Sequence, residues 1–330
     1  MKFLSGADTE DVFDWDAAVD CIRAAYAAEH APKAVPGRLV AADRSAWIRC
    51  MPAIPAGGRY MGSKQIVRTR SGKVTYLITL YDTESGSLSY VIDGISITSM
   101  RTAATSAVAL DRLSPREELK VGLIGSGLEA RMHASVICKR HKVGELAVHS
   151  PTRANRERLA AELQASYGVP ARAVETGEEA VRGANCIVTA ARSRDESPLL
   201  YADWIAPGTV VISVGSTTPT QREIDVSVID RAALIVADIP DELAHDTGDM
   251  RAATEAGIGF SDKLISLQTL VRDGVGRAGG DGDVRMFKSV GSAIQDIAFA
   301  EMIATASEKK GLGVELDVEL STKQSIGRNS

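Results

Sequence analysis

Gly125 and Gly127 stand one residue apart in VGLIGSGLEARMH, where an apolar run ends and a helix-like pattern begins. Ala130 follows at the third small position. In a G-x-G-x-x-A turn the first glycine makes the bend and the second lets backbone approach a diphosphate. The small third residue lets helix and strand pack closely. The helix start offers unpaired N–H groups and the positive end of its dipole to an anion. Such a motif is weak alone and gains weight from a strand before it, a helix after it and an alternating β/α run behind it. All three are present, and the stretch predicts a dinucleotide-binding turn.

The next strand ends in VHSPTR. An NAD-specific protein places an acid there for the ribose 2′-hydroxyl. This chain has Ser150, followed by Thr152, Arg153, Arg156 and Arg158. A hydroxyl with arginines nearby suits a 2′-phosphate, so NADP(H) is favoured over NAD(H). The competing reading is that the arginines form an exposed helix face.

These residues need a scaffold. From 119 to about 240, apolar runs (KVGLIG, ELAVHS, a weak ARAV, CIVTAA, VVISVG, ALIVADI) alternate with helical stretches such as RANRERLAAELQASYG and GEEAVRGA. That pattern is what a doubly wound parallel sheet covered on both faces requires. Ahead of it, 38 to 98 holds short β-rich runs (RLVAA, SAWIRCMPA, QIVRTR, KVTYLITLYD, LSYVIDGISI) between glycine turns, which predict a mostly antiparallel sheet. DVFDWDAAVDCIRAAYAAEH reads as an N-terminal helix, SAIQDIAFAEMIATASEKKG as a C-terminal helix stopped by glycine, and STKQSIGRNS as a loose end. The expected class is α/β: a Rossmann-type doubly wound parallel sheet preceded by a mostly antiparallel one.

Composition narrows the function classes. The chain has 330 residues, 45% hydrophobic and 25% charged, which is ordinary for a globular protein. Its net charge of -5 gives no basic footprint for nucleic acid or an anionic membrane. The acidic N-terminal stretch lacks the pattern of a signal peptide and no apolar window is long enough to span a bilayer, so a cytoplasmic location is expected. Cys21, Cys50, Cys138 and Cys186 form no CxxC pair, and the five histidines are scattered, so no metal site is expected.

Four ordered motifs, RTAATSAVA (101–109), GSGLEA (125–130), VISVGS (211–216) and FKSVGSAIQD (287–296), resemble landmarks of the ornithine cyclodeaminase/mu-crystallin family, over about residues 10 to 315. The resemblance implies a Rossmann-type NAD(P)-binding domain over 116–291, an α+β substrate-binding and dimerisation domain from 1–115 with 292–330, a homodimer, and hydride transfer between a nicotinamide and an α-carbon bearing nitrogen and a carboxylate. It implies carboxylate ligands at Arg38, Lys64 and Arg101, and Val290 facing a small α-imino or α-amino acid. Lys64 is expected to handle the proton, with its pKa lowered by a neighbouring cation and a closed site; the alternative is that it serves only as an anchor. On the cofactor side the resemblance implies Gly125, Gly127, Leu128, Glu129, Ser150, the turn Val214, Gly215, Ser216, Thr217, and Ser289, with Arg101 also touching the cofactor; Arg153 joins them from the reading of VHSPTR above. The family's Ala-Gln after the second glycine is Leu128-Glu129 here, and Glu129 is expected to point away or to pair with Arg131.

Two departures bear on activity. Where the family's cyclodeaminases carry an aspartate in a VGGD-type turn, this chain has Thr217. Where they carry an acid before the Met-Pro pair, it has Arg49. Losing two carboxylates removes the charge complement of a cationic ornithine tail. An NAD(P)H-dependent imine reductase or amino-acid dehydrogenase is therefore expected, with Thr217 orienting the nitrogen. Arg49 suggests a dicarboxylic imine such as iminosuccinate, unless it is a strand residue facing solvent. The alternatives are an ornithine or lysine cyclodeaminase and a non-catalytic, NADPH-loaded crystallin-like protein.

Overall fold

The computed structural model describes residues 1–114, 116–274, 280, 282–318 and 320; the expected loose end STKQSIGRNS lies outside the described residues. In chain order the elements begin β1 (Lys2–Leu4), α1 (Gly6–Val12), α2 (Trp15–Ala27), β2 (Leu39–Ala42), β3 (Trp47–Ala53), β4 (Tyr60–Arg68), β5 (Val74–Asp82), β6 (Leu88–Asp93) and α3 (Gly94–Leu113). Next come β7 (Glu118–Ile124), α4 (Leu128–Arg140), β8 (Lys142–His149), α5 (Arg153–Tyr167), β9 (Ala171–Ala173), α6 (Gly177–Val181), β10 (Cys186–Thr189), β11 (Val210–Ser213) and α7 (Val226–Arg231). The chain continues through β12 (Leu234–Ala237), α8 (Pro240–Asp246), α9 (Gly248–Glu255), β13 (Leu264–Ser266), α10 (Leu267–Asp273), β14 (Arg285–Lys288), α11 (Ala293–Lys310) and β15 (Val314–Glu315).

Two compact units result: Met1–Phe13, His30–Ile97 and the chain from Asp296 form one, and Asp14–Glu29 with Thr98–Gln295 form the other. Compared with the division expected at 115/116 and 291/292, the helix α2 and most of α3 group with the second unit.

The first unit is built on a sheet of order β15-β1-β6-β5-β4-β3-β2. Strands β2 to β6 run antiparallel in sequence, β1 lies parallel to β6, and β15 lies antiparallel to β1. Because directly paired residues of adjacent strands share a face, Met51, Lys64, Ile66, Ile78 and Ile92 lie together, and all are buried. Helix α11 covers this face. A Cβ on Gly62 would stand 2.1 Å from the Thr79 carbonyl oxygen and 3.2 Å from Ile297, so only glycine fits under the helix. Glu301 anchors α11 by accepting the Arg59 and Tyr60 N–H groups at 3.0 and 3.3 Å, and Glu308 accepts the Tyr90 hydroxyl at 2.5 Å.

The single N-terminal helix expected from DVFDWDAAVDCIRAAYAAEH is two helices. Asp14 is extended and its side chain accepts from Ala17 N–H at 2.9 Å, capping α2, while extended Phe13 stacks on Phe299 at 6.2 Å. An N-cap aspartate and a buried aromatic contact outweigh continuous helical periodicity there. LSYVIDGISI is likewise a strand only to Asp93, and Gly94 starts α3.

The second unit holds an all-parallel sheet of order β13-β12-β14-β11-β10-β7-β8-β9, the Rossmann-type arrangement expected. Strand β14 enters late in the chain yet sits between β11 and β12. Its RMFK sequence conceals a buried strand because Arg285 and Lys288 are inside with partners: Arg285 donates to the Leu113 and Gly280 carbonyls at 2.8 Å.

Helix α4 packs on α3 through His133, which is fully buried. Its Nδ1 meets the Glu129 carbonyl at 2.7 Å and its Nε2 meets Ser106 Oγ at 2.8 Å. A carbonyl only accepts, so Nδ1 carries the proton and the Ser106 hydroxyl donates to Nε2. Burial pushes the imidazole down from 6.5 to about 4. Below pH 6.5 the unfolded chain takes up a proton that the folded chain refuses, so this contribution is complete above 6.5 and is lost as pH falls towards 4. Denaturant unfolding from pH 7 to 4 should show a loss of about 3 kcal/mol attributable to this group, and His133→Gln should flatten that part of the profile.

Candidate active site

The turn after β7 is shaped for close approach. Gly125 has φ +126°, its N–H donates to the His149 carbonyl at 2.8 Å, and a Cβ there would stand 2.6 Å from the Ala190 carbonyl oxygen. Gly127 is the N-cap of α4, makes no side-chain cap, and has no protein atom within 4 Å of where a Cβ would stand. Ala130 is buried 3.4 Å from the Gly125 Cβ position, which is the close helix–strand packing expected of a small residue. Leu128 is exposed, and Glu129 is half-buried in the first turn of α4. Arg131 forms an ion pair with Glu162.

Ser150, buried after β8, accepts from Ser126 Oγ of the glycine turn at 2.9 Å. The arginines beyond it divide. Arg156 is buried and spent on structure, donating to the Ser150 carbonyl at 2.9 Å and pairing with Glu175. Arg153 is exposed at the first position of α5 and pairs with Glu157 at 2.7 Å. Thr152, the N-cap of α5, makes no side-chain cap, so this second helix start also presents N–H groups.

The turn after β11 rests on buried charge. Glu223 Oε2 accepts from Ser213 Oγ at 2.6 Å and from Gly215 N–H at 2.9 Å, and Oε1 accepts from Ala191 N–H at 3.0 Å. One carboxylate thus ties together the ends of β10 and β11. Lys288 donates to Ser213 Oγ at 2.9 Å and pairs with Asp249 at 2.7 Å, and Asp249 accepts the Glu223 and Ile224 N–H groups at 2.8 and 3.2 Å. Burial pushes the Glu223 carboxyl up, against the Lys288 ammonium, which holds it down. Further along, Ser216 Oγ donates to the Gln221 carbonyl at 2.6 Å, and the Thr217 N–H donates to Gln221 Oε1 at 3.0 Å. Val214 is buried and Gly215 leaves no room for a side chain, since its Cβ would stand 2.2 Å from Glu223.

Arg101 is 4% exposed on α3 and donates to Gln295 Oε1 at the start of α11. A Cβ on Gly291 would stand 3.1 Å from the Arg101 guanidinium, so the arginine lies against the loop carrying Ser289 and Val290. The second unit therefore brings Arg101, Ser289 and Val290 together, and separately groups Gly125, Ser150 and the 214–217 turn around the ends of β7, β8, β10 and β11.

In the first unit Lys64, 1% exposed on β4, forms an ion pair with Asp296 at 2.8 Å. Its partner is thus a buried carboxylate, which the sequence reading had not pointed to. Asp296 stood at the end of the FKSVGSAIQD motif without an assigned role; an acid at the start of an otherwise apolar helix was the signal. Arg49 is half-buried on β3 and stacks over Trp47 at 5.5 Å. It pairs with Ile66, while Lys64 pairs with Met51, so Arg49 shares the Lys64 face as its diagonal neighbour. Arg38 is half-buried just before β2. Among the described residues no cluster could hold a metal ion, and no helix is long and apolar enough to cross a membrane.

A glycine turn opening onto an uncapped helix at the C-terminal edge of an all-parallel sheet defines a Rossmann-type dinucleotide-binding protein. The family is then particular: the chain belongs to the ornithine cyclodeaminase/mu-crystallin family, whose model matches residues 2–311. It is 30% identical to ketimine reductase mu-crystallin of Rattus norvegicus over 226 residues, 68% of this chain and 67% of that one. It is 28% identical to iminosuccinate reductase of Paracoccus denitrificans over 244 residues, 73% of each. Among solved structures it is similar to Thermococcus litoralis Δ1-pyrroline-2-carboxylate reductase in complex with NADH and L-proline, with TM-score 0.87, 25% identity, and coverage of 96% of this chain and 100% of that one.

Removing one member of a buried charge group leaves the others uncompensated, at a cost of about 3–5 kcal/mol. Lys288→Met should lower unfolding free energy by about that amount in urea titrations, whereas exposed Arg153→Ala should leave it unchanged.

Proposed function

We propose that this protein is an NAD(P)H-dependent reductase of small α-imino acids, with a dicarboxylic imine of the iminosuccinate type as its preferred substrate. Its class is that of the NAD(P)-dependent oxidoreductases acting on CH–NH or CH–NH2 groups. The dinucleotide fits the residues present: the Gly125 and Gly127 turn, the α4 N-terminus, Ser150, the 214–217 turn and Ser289 would hold it. When bound, the nicotinamide supplies a hydride for the imine carbon.

The chain's own residues do the rest. Arg38 and Arg101 bind the α-carboxylate, since a guanidinium fork matches a carboxylate with two parallel hydrogen bonds. Lys64 pairs with that carboxylate and gives its Nζ proton to the imine nitrogen, while Asp296 holds the Nζ in place. The Thr217 hydroxyl orients the nitrogen, and Val290 packs against the substrate's carbon chain. Fixing a small anion in this way raises the rate through proximity, because the reacting atoms no longer have to find one another in solution.

The observation that carries the dicarboxylate is the place of Arg49 on the same sheet face as Lys64, its guanidinium steadied by Trp47. A second carboxylate is the ligand such a fork recognises. The same residue opposes a cationic ornithine tail, which argues against ring-forming deamination. NADP(H) is the proposed cofactor over NAD(H), supported by a hydroxyl rather than an acid at Ser150 and by Arg153 at the exposed start of α5.

Turnover of NADPH and NADH with oxaloacetate plus ammonia, pyruvate plus ammonia and a cyclic imine tests the reading. The dicarboxylate should be preferred, and Arg49→Ala should raise its KM about 10- to 100-fold with the monocarboxylate unaffected. Equal use of all acids, or no selective loss in Arg49→Ala, refutes the dicarboxylate. Proline formed from ornithine would make the protein a cyclodeaminase, and nucleotide binding without turnover of any imine would make it a binding protein.

A homodimer is proposed through the other face of the first unit's sheet. There Leu39, Ile48 and Leu77 lie on one side, 71%, 37% and 37% exposed. Apolar sheet surface of this kind is covered by a partner in a stable protein, and a second copy offers the same face. Leu77→Lys should shift sedimentation from dimer to monomer with the fold retained.

A further inference from the structure

We infer that Asp238 is a positioning residue that joins the nucleotide loop to the acid-binding arginine, so that both halves of the site depend on one carboxylate. The inference rests on the proposed function and assigns roles to two residues outside it, Asp238 and Gln295.

Asp238 follows β12 directly and is buried. Its Oδ2 accepts from Ser289 Oγ at 2.6 Å, Gly291 N–H at 2.7 Å and Gln295 Nε2 at 3.2 Å, and its Oδ1 accepts from Val290 N–H at 2.9 Å. Consecutive residues 289 to 291 thus hang from a single carboxylate. Gln295 adds the second arm. Its amide nitrogen donates to Asp238 and, at 2.7 Å, to the Tyr26 hydroxyl, and this forces its carbonyl oxygen towards the Arg101 guanidinium. The ring closes where Arg101 lies against Gly291, whose φ of +83° and lack of a side chain let the guanidinium approach.

Every member of this ring belongs to the second unit. Asp238 touches neither substrate nor cofactor in this reading and acts through the loop and through Gln295. Buried networks of this kind lose more than the sum of their pairs when one member goes, because the remaining donors are stranded away from water. Moving Asp238 would displace the 289–291 backbone, which would hold the dinucleotide, and turn the Arg101 fork.

The full-length protein with Asp238→Asn, Gln295→Met and both together gives the test. NADPH Kd is read by fluorescence titration without turnover, and imino-acid KM is read at saturating NADPH. Gln295→Met should raise KM about 10-fold with NADPH Kd within about twofold. Asp238→Asn should raise both Kd and KM, and the double variant should raise KM no further than the larger single effect, since both act through one chain of contacts. Additive effects on KM, or an Asp238→Asn protein with either constant unchanged, overturn the inference. Should Asp238→Asn fail to fold, Gln295→Glu serves instead: its carboxylate keeps an oxygen for Arg101 but faces Asp238, so it should raise both constants, and an unchanged Kd overturns the inference. A wild-type protein that binds NADPH yet reduces no imine sinks the proposed function alone, because the Kd comparison is still readable.

Discussion

A carboxylate taken out of water must be surrounded by donors, and the second unit meets this requirement with backbone N–H groups from loops far apart in sequence. Glu223 takes N–H groups from Gly215 and Ala191, Asp249 from Glu223 and Ile224, and Asp238 from Val290 and Gly291. Each carboxylate therefore fixes the path of a loop at the C-terminal edge of the parallel sheet, where open α/β sheets bind their ligands. Without these carboxylates the loops would lose their common reference.

The same constraint explains two buried cations. Lys288 offsets Asp249 and Glu223, and Arg285 pins the end of α3 through the Leu113 carbonyl. Strand β14 then runs in the middle of the sheet despite two charged residues in four, because each charge meets its partner inside. The first unit follows the same rule with Lys64 and Asp296, which are buried together. Since Asp296 follows Gln295 in α11, one turn of helix carries the partners of both Lys64 and Arg101.

Much of this was legible in the sequence. The glycine turn, the alternating strands and helices and the antiparallel first sheet could be read because local periodicity and glycine geometry dictate them. The family could be read from four ordered motifs. What could not be read depends on distant partners. RMFK looks too polar for a central strand until Asp249 and Leu113 are in place, and the break at Phe13–Asp14 depends on Phe299 in α11. Asp238 was visible in ALIVADI as the acid ending an apolar strand, but its donors lie some fifty residues on. The arginines after Ser150 gave a divided answer: Arg156 is internal bracing, and Arg153 alone keeps an exposed place at a helix start.

The first sheet is completed by the two ends of the chain, with β15 on β1 and α11 lying across its buried face. On a ribosome its early strands must therefore wait, with Lys64 and the apolar residues beside it uncovered, until α11 and β15 have emerged. The parallel sheet takes all its strands from β7 to β14 and has no such wait for α11 and β15. Translation thus completes the parallel sheet before the antiparallel one.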